Sequence, residues 1–235
     1  MERKKRNILV PLITILILVI MVAIMFYSLM NDQSDDIFNA VKQNDLSKVA
    51  ILLNQDSELA NATQGDHVFI SILQEAIIQN NYALVDILLK NGADVNYISE
   101  FNTSNTTPLH CANNHMNKNI IELLLKHDAN PNIKTVDDIT PFEDLCQNYS
   151  NIDIVNLYIK YGARVNNTDI LTYLLKGISL SSNDSDFKNR CKILELLINN
   201  GANINKNMLY KIKEISNLPQ DKKDIIMSII LKSIM

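Results

Sequence analysis

The sequence predicts an all-α solenoid of stacked helix-turn-helix units, preceded by a single transmembrane helix. Two observations lead to this fold class. A block of 33 to 39 residues recurs along the chain, and each copy holds the pattern of two short helices. Upstream of the blocks, residues 8–30 form an apolar run without a charged side chain.

The apolar run has the length of a membrane span. Twenty-three helical residues extend about 34 Å, which exceeds the ~30 Å hydrocarbon core of a bilayer. Pro11 lies in the first turn, where a missing N–H costs little. A cleaved secretory signal is the alternative, but it would have a shorter apolar region, and Ala23 and Ser28 lack the spacing of a cleavage site. We therefore predict an uncleaved anchor.

The charges beside this run predict its orientation. Four basic residues lie between positions 3 and 6, whereas the following "NDQSDD" is acidic and the next lysine is Lys42. Positively charged flanks stay on the cytoplasmic side. Residues 1–7 are therefore expected to form a cytoplasmic tail, and the body after a linker at 31–35 is expected to be extracytoplasmic.

The repeats are visible as short recurring motifs. "NGADVN" (91–96), "DANPN" (128–132), "YGARVN" (161–166) and "NGANIN" (200–205) each follow an apolar helical run. "TPLH" at 107–110 and "TPFE" at 140–143 are 33 residues apart, and "SILQEA" takes the same place in the preceding unit.

This combination of period, motifs and order resembles the ankyrin repeat. The resemblance covers residues 36–207, about five units, and it implies a solenoid of helical pairs with hairpin fingers between them. Residues 208–235 are expected to form capping helices. The alternative, a second membrane helix, is interrupted by four charged residues: Lys222, Lys223, Asp224 and Lys232.

The physical chemistry of one unit agrees with stacking. Four apolar residues fall on one helical face, too few to bury alone, so neighbouring units must bury them jointly; they are Ile77, Leu84, Ile87 and Leu88. Thr107 and Thr140 are predicted N-caps, each followed by a first-turn proline. Where the family has glycine between the helices, Asn44, Asn80 and Asn117 are expected in the left-handed conformation.

Two segments depart from the pattern. The finger from Asn96 to Thr107 is three residues longer than its equivalent from Asn132 to Thr140, and it is expected either to fold back on its neighbour or to expose aromatic anchors. In the fifth unit the hairpin is nearly absent, and "SLSSNDSDFKNR" (179–190) is predicted as an inserted surface loop.

Composition and motifs argue against several functions. The chain carries a net charge of −4, although its first six residues include four basic side chains and only one acidic one, so the body is acidic and nucleic acid is not an expected partner. The 140° between His110 and His115 on a helix separates them, which excludes a zinc site with Cys111. No nucleotide loop or catalytic motif is present, so no enzyme activity, cofactor, metal or small-molecule substrate is expected.

The resemblance implies a bracing role for His110, which bonds locally and to the next repeat in this family. Cys111, Cys146 and Cys191 are expected to be buried free thiols, although their spacing leaves a bridged pair open.

We predict a membrane-anchored, non-enzymatic module with a monomeric body that binds another protein through its hairpin tips and concave face. The candidate partner-binding residues are Tyr97, Ile98, Glu100, Phe101, Ile133, Thr135, Val136, Asp137 and Asp138, with Gln74 and Asn113 behind them. The alternative is an extracytoplasmic inhibitor or immunity protein that occludes a toxin or hydrolase. Fold alone does not choose between them.

Overall fold

A computed structural model describes residues 2–64, 70–101, 104–135, 138–166, 170–181, 183–204, 206–215 and 218–234. Within these residues, the regular elements are α-helices apart from a short 3-10 helix, Ser57–Asn61, and two small hairpins. The helices are arranged in successive pairs, as the sequence predicts.

The first helix, α1, runs from Glu2 to Lys42 without a break. Its residues 13–25 are exposed and uncharged, whereas Ile37, Phe38 and Val41 near its end are fully buried. Residues 31–35, where a linker was predicted, belong to this helix. Among the described residues, a helix with the length and apolarity of a membrane span is not found, so the predicted transmembrane helix at 8–30 is not supported.

Five helical pairs make up the repeats, and within each pair the two helices pack together. The first helices are the end of α1, then α3 (Ile72–Ile78), α5 (Pro108–His115), α7 (Pro141–Asn148) and α9 (Ile170–Ser179). The second helices are α2 (Leu46–Gln55), α4 (Tyr82–Lys90), α6 (Lys118–Lys126), α8 (Ile152–Lys160) and α10 (Asp184–Asn199). First helices pack on first helices and second helices on second helices, which produces two parallel rows.

A C-terminal pair follows the fifth repeat. It consists of α11 (Lys206–Glu214) and α12 (Gln220–Ile234), and α12 packs against α10. Ile212, Ile226 and Ile230 are fully buried in this pair. It therefore covers apolar surface at the end of the stack.

The core lies between the two rows. Ile77, Leu84 and Leu88 are fully buried, as the helical pattern predicts, and Ile87 is half-buried. Burying one such aliphatic side chain stabilises a fold by about 1.5–3 kcal/mol. Because these residues contact neighbouring units, the stability of each repeat depends on its neighbours.

The first helices of repeats two to four begin with capping boxes. Thr107 accepts a hydrogen bond from the backbone of His110, and the His110 ring accepts one from the Thr107 backbone. Thr140 and Glu143 form the same reciprocal pair, so both predicted threonine N-caps are confirmed. Each box satisfies backbone N–H groups that the helix start leaves without a partner.

The turns between paired helices use left-handed residues. Asn44 and Asn80 have φ values of 56° and 54°, as predicted. In the third repeat the prediction was wrong by one position, because Met116 has a φ of 50° and Asn117 is the N-cap of α6. Asn117 Oδ1 accepts from the backbone N–H groups of Asn119 and Ile120, a role that requires extended backbone.

Two β-hairpins connect the early repeats. Strand β1 (Thr63–Gln64) pairs with β2 (Ile70–Ser71), and β3 (Ser99–Phe101) pairs with β4 (Ser104–Thr106) in antiparallel register. The second hairpin is the long finger, with Ser99 opposite Thr106 and Phe101 opposite Ser104. The three extra residues therefore extend a paired ribbon.

The fifth repeat differs from its prediction. Residues 167–169, which hold the shortened hairpin, lie outside the described residues. The insertion is mostly helical, because α10 begins at Asp184 with Asn183 as its N-cap. Phe187 and Arg190 are buried, so this extension packs against the repeat and is not a surface loop.

Candidate protein-interaction surface

The two edges of the solenoid are defined by different connections. The finger edge consists of the segments that join one repeat to the next, residues 56–70, 91–106, 127–139 and 161–169. The loop edge consists of the turns within each helical pair, residues 43–45, 79–81, 116–117, 149–151 and 180–183. The candidate residues belong mainly to the finger edge.

The long finger is fixed at its base by the preceding repeat. Gln74 Nε2 donates to Ser99 Oγ and to the Thr106 carbonyl, both at 2.9 Å. Ser99 Oγ and Thr106 Oγ1 lie 3.0 Å apart across the hairpin. Because Gln74 and Ser99 are buried, these bonds are shielded from water and hold both strands in place.

Beyond this base, the finger presents part of the predicted surface. The side chain of Ile98 is 42% exposed, and Tyr97 is half-buried. Glu100 and Phe101 have their backbone in β3, and their side chains lie outside the described residues. Ile98 is therefore the apolar group that the described finger offers to a partner.

Two of the predicted partner-binding residues are interior, and their assignment is corrected. Gln74 and Asn113 are both 0% exposed. Asn113 Nδ2 donates to the Pro141 carbonyl and to Asp144 Oδ2, each at 2.9 Å, and its Oδ1 accepts from the Tyr158 hydroxyl at 2.8 Å. A satisfied buried amide of this kind joins repeats three and four and cannot contact a partner.

The next finger carries the remaining candidates. Ile133 and Thr135 are half-buried, and Thr135 closes a turn with Ile139 through a backbone bond of 3.2 Å. Asp138 is exposed in the left-handed conformation, and its carboxylate lies 2.7 Å from Lys134 Nζ. Val136 and Asp137 lie outside the described residues. The turn thus displays an acidic group at a fixed position.

Asparagine amides connect successive fingers. Asn61 Nδ2 donates to the Gly92 carbonyl and its Oδ1 accepts from the Asp94 N–H. Asn96 bonds Asp128 and Asn130 in the same way one repeat later.

A third pair of bonds continues this ladder, which sequence reasoning missed. Asn132 bonds the Gly162 carbonyl and the Arg164 N–H. In the described part of the chain, Asn166 makes no such bonds to the fifth tip. The sequence did contain a signal for this ladder, because each tip motif ends in an asparagine at the same position.

A second ladder runs along the loop edge and stops at the third repeat. Asn81 Nδ2 donates to Asn44 Oδ1 at 2.8 Å, and Asn117 Nδ2 donates to Asn80 Oδ1 at 2.7 Å. The equivalent acceptor for Asn151 would be Met116, whose thioether is a weak acceptor. Among the described residues, nothing accepts from the Asn151 amide.

Where this ladder stops, a groove of about 660 Å³ opens at the loop edge. Met116, Tyr149, Asn151, Leu180 and Asn189 are among the residues that line it. Its far wall is the N-terminal extension of α10. Leu180 is 66% exposed at the rim, so this groove is a second concave surface, away from the fingers.

The wall of the groove is held by a buried arginine. Arg190 Nη1 donates to the carbonyls of Cys146 and Gln147 at the end of α7, and Nε contacts Asp186 at 3.2 Å. These bonds satisfy carbonyls that the helix end leaves free and place a positive charge at the negative end of the helix dipole.

Charge is distributed unequally between the edges. The finger-edge segments contain nine acidic and two basic residues, whereas the loop-edge turns contain Asp45 as their one charged residue. By sequence, the finger-edge segments are therefore strongly acidic and the loop-edge turns nearly uncharged, and an acidic edge favours a positively charged partner.

His110 of the third repeat is held by the hydrogen bonds of the capping box at the start of α5. Thr107 Oγ1 lies 2.9 Å from His110 Nδ1, and the Thr107 N–H donates to the same nitrogen, which places the ring proton on Nε2. Burial lowers the pKa of His110, and Asp144 and the Ile139 backbone oppose that shift. Among the described residues, no group of three or more His, Cys, Asp or Glu side chains could hold a metal ion.

All three cysteines are free thiols, as expected; Cys146 and Cys191 are also buried, whereas Cys111 is half-buried. Burial raises the pKa of Cys111 to about 11 and the pKa of Cys191 to about 11. Burial also raises the pKa of Cys146, which is fully buried. Such thiols are poor nucleophiles at neutral pH because the reactive species is the thiolate.

The repeats are also recognised by comparison with known proteins. A family profile described as "Ankyrin repeats (3 copies)" matches residues 37–135 and 73–184. The ankyrin repeat protein FPV031 of fowlpox virus (strain NVSL) is 31% identical over 138 residues, which is 59% of this chain and 40% of the viral protein.

Similarity extends to proteins of other organisms. The human 2-5A-dependent ribonuclease is 36% identical over 81 residues, 34% of this chain and 10% of the ribonuclease. A BTB/POZ domain and ankyrin repeat-containing protein of Lotus japonicus is 44% identical over 63 residues, 26% of this chain and 13% of that protein. The chain spans two fifths or less of the length of these relatives. Because the family profile covers more than half of the chain, with two helices per unit and a finger between units, the chain belongs to the ankyrin-repeat family.

Proposed function

We propose that this protein is a membrane-anchored module that binds another protein through its finger edge. Ankyrin repeats are generally protein-interaction modules, and the finger edge supplies the necessary features. The observation that carries the proposal is the long finger, which is rigidly held by Gln74 at its base and exposes Ile98 beyond it. A preorganised finger loses little conformational entropy when it binds.

The acidic groups of the fingers add specificity to this surface. Asp94 and Asp138 are exposed, and each lies at a turn whose backbone is hydrogen-bonded. Exposed charges at the rim of an interface steer encounter and select the partner's charge more than they add affinity. We therefore assign contact to Ile98, Tyr97 and Ile133, and charge selection to Asp94 and Asp138.

The anchor is proposed from the sequence of residues 8–30 and from the exposure of part of α1. The large aliphatic side chains between Ile13 and Met25 are 48% to 64% exposed, so the described part of the chain leaves an apolar helix surface largely uncovered. Water is a poor solvent for such a surface, whereas a bilayer is a good one. The basic residues before it favour a cytoplasmic N-terminus and an extracytoplasmic body.

Flotation of the full chain with lipid vesicles tests the anchor. Val19→Lys with Val22→Lys places two charges in the apolar segment, and Ile51→Lys with Leu231→Lys places two at exposed apolar sites of the body. We expect the native chain and the second variant to float and the first variant to lose most of its bound fraction. Equal flotation of both variants, or no flotation of the native chain, would refute the anchor.

Cross-linking of the anchored chain in its own membrane, followed by purification, tests the binding surface. Two finger variants, Ile98→Ala and Asp138→Lys, are compared with matched changes elsewhere, Leu180→Ala and Glu195→Lys. We expect only the finger variants to reduce capture of the same partner. Capture that is insensitive to both finger variants would show that the surface is wrong. Protection of the body from outside protease in intact cells would reverse the proposed orientation.

The alternative function is an extracytoplasmic inhibitor of a toxin or hydrolase. The acidic finger edge favours it to the extent that such a target is basic. In that case, addition of the purified chain should abolish the activity of the captured partner, and Asp138→Lys should restore it. A captured partner without any activity that the chain inhibits would exclude this alternative.

A further inference from the structure

The direction of α1 relative to the repeats determines which edge of the solenoid is nearest to the apolar segment. The last residues of α1 are the first helix of the first repeat, because Ile37, Phe38 and Val41 pack into the core with α2 and α3. The apolar residues precede them in the same helix. They therefore extend from the N-terminal side of the first-helix row.

That side is the finger edge. The N-caps Ser71, Thr107 and Thr140 begin the first helices directly after the fingers. The loop-edge bonds between Asn44 and Asn81 lie at the opposite ends of these helices. Since the row is parallel, every finger lies toward the apolar segment and every loop-edge turn lies away from it.

The first finger fixes the level more closely. Gln64 of β1 bonds two residues of α1: its Nε2 lies 3.5 Å from Asp35 Oδ1, and its Oε1 accepts from Lys42 Nζ at 3.0 Å. Strand β1 therefore lies beside the part of α1 that begins at Asp35. Asp35 follows Met30, the last residue of the apolar run, by five positions, which corresponds to about 7 Å of helix rise. Asn44 at the loop edge follows Met30 by fourteen positions, which corresponds to about 21 Å.

These heights compare directly with the dimensions of a bilayer. The headgroup layer on each side of the ~30 Å core is roughly 5–8 Å thick. With residues 8–30 in the hydrocarbon, the first finger would lie at the surface of the headgroups. Because residues 31–35 belong to the continuous helix α1, the distance between the apolar segment and the first finger is fixed, whereas a flexible linker would leave that distance variable.

We infer that the finger edge faces the membrane and binds the lysine- or arginine-bearing end of a transmembrane helix of another integral membrane protein. This inference rests on the proposed anchor. By the positive-inside rule, basic residues are the less common case at the extracytoplasmic end of a helix, so they would distinguish this partner from most other spans. Where they occur, their side chains extend into the interfacial layer, at the level of the fingers. The sequence of the finger segments holds nine acidic and two basic residues. The five acidic side chains that the structure describes there complement such basic groups and repel lipid phosphates; they are Asp56, Glu58, Asp94, Asp128 and Asp138.

The orientation is tested with the full chain in vesicles that carry a headgroup-attached energy acceptor. A donor is placed on Thr63→Cys at the finger edge or on Leu46→Cys at the loop edge. The native thiols react slowly and stay unlabelled, because Cys146 and Cys191 are buried and Cys111 is half-buried. We expect higher transfer from Thr63→Cys, because the two edges differ in height by about 13 Å. Equal transfer, or higher transfer from Leu46→Cys, in a floating sample would overturn the orientation.

The partner class is tested in the same vesicles with a synthetic single-span peptide. One version has a lysine-rich flank on the side of the body, and the control has a glutamate-rich flank. We expect energy transfer from Thr63→Cys to the lysine-rich peptide only, reduced by salt and by Asp94→Asn with Asp138→Asn, but not by Glu195→Gln. Equal transfer to both peptides, or transfer to neither of them in a floating sample, would overturn the partner class. A chain that does not float would instead refute the anchor itself.

Discussion

Gly177 in α9 leaves the space that the guanidinium of Arg190 occupies. A Cβ at Gly177 would overlap both Arg190 Nη1 and the carbonyl of Gln147. The absence of a side chain at this position therefore allows Arg190 to reach the end of α7 from α10. In this way one helical glycine connects three helices of repeats four and five.

Gly177→Ala should destabilise the protein although alanine is the better helix former. Overpacking of a filled site costs about 1–3 kcal/mol, which exceeds the roughly 1 kcal/mol that alanine gains in helix propensity. Urea unfolding of the full chain measures the change. In an Arg190→Ala background the cost should be smaller, because one of the two overlapping groups is gone. If the unfolding free-energy changes of the two single variants simply add in the double variant, Gly177 and Arg190 do not interact.

Asn96→Ala should lower the free energy of unfolding by about 1–2 kcal/mol, because it removes two hydrogen bonds between neighbouring fingers. Asn166→Ala is the matched control, because Asn166 ends the next tip motif but makes no such bonds in the described part of the chain. We expect a change within about 0.5 kcal/mol for this control. Thermal or urea unfolding measures both, and equal losses would show that the ladder is not stabilising.

Stability should fall as the pH drops below about 6.5, the ordinary pKa of histidine. The pKa of His110 is lowered in the folded protein by burial, so the unfolded chain takes up a proton first and is favoured. The contribution of neutral His110 is complete above pH 6.5. His110→Gln, which copies the Gln74 capping box, should make the pH dependence between 6.5 and 5 shallower. An unchanged slope in this variant would exclude His110 as its source.

Thiol reagents should label the folded protein slowly. Burial raises the pKa of Cys111 to about 11, and Cys146 is fully buried, so little thiolate is present at pH 8. In urea all three cysteines should react at the rate of a model thiol. Absorbance of the released thiol reagent follows both rates. Rapid labelling of the folded chain by one equivalent would contradict the burial of its cysteines.

The repeat architecture could be predicted because its signals are local. The N-caps, the first-turn prolines and the asparagines at positive φ each act within a few residues, and they recur at the repeat period. The error at Met116 also has a local cause. An asparagine in this turn can be either the left-handed residue or the N-cap of the next helix, and Asn117 is the N-cap.

The candidate surface could be predicted only in part, because burial depends on contacts between repeats. Gln74 was assigned to the surface although its position matches the capping residues His110 and Glu143, a signal that the sequence contained. No local signal identifies Asn113, whose partner Tyr158 is 45 residues away. Arg190 was assigned to a loop, since the two carbonyls that hold it, those of Cys146 and Gln147, lie on another repeat.

The finger edge, and not the loop edge, is the surface that we propose receives the partner. A photoreactive amino acid at Ile98 or at Leu180 of the full chain, irradiated in the native membrane, compares the two surfaces directly. We predict a specific adduct from Ile98 that Asp138→Lys suppresses, and none from Leu180. An adduct from Leu180 without one from Ile98 would contradict the account, because it would assign binding to the groove beside α10.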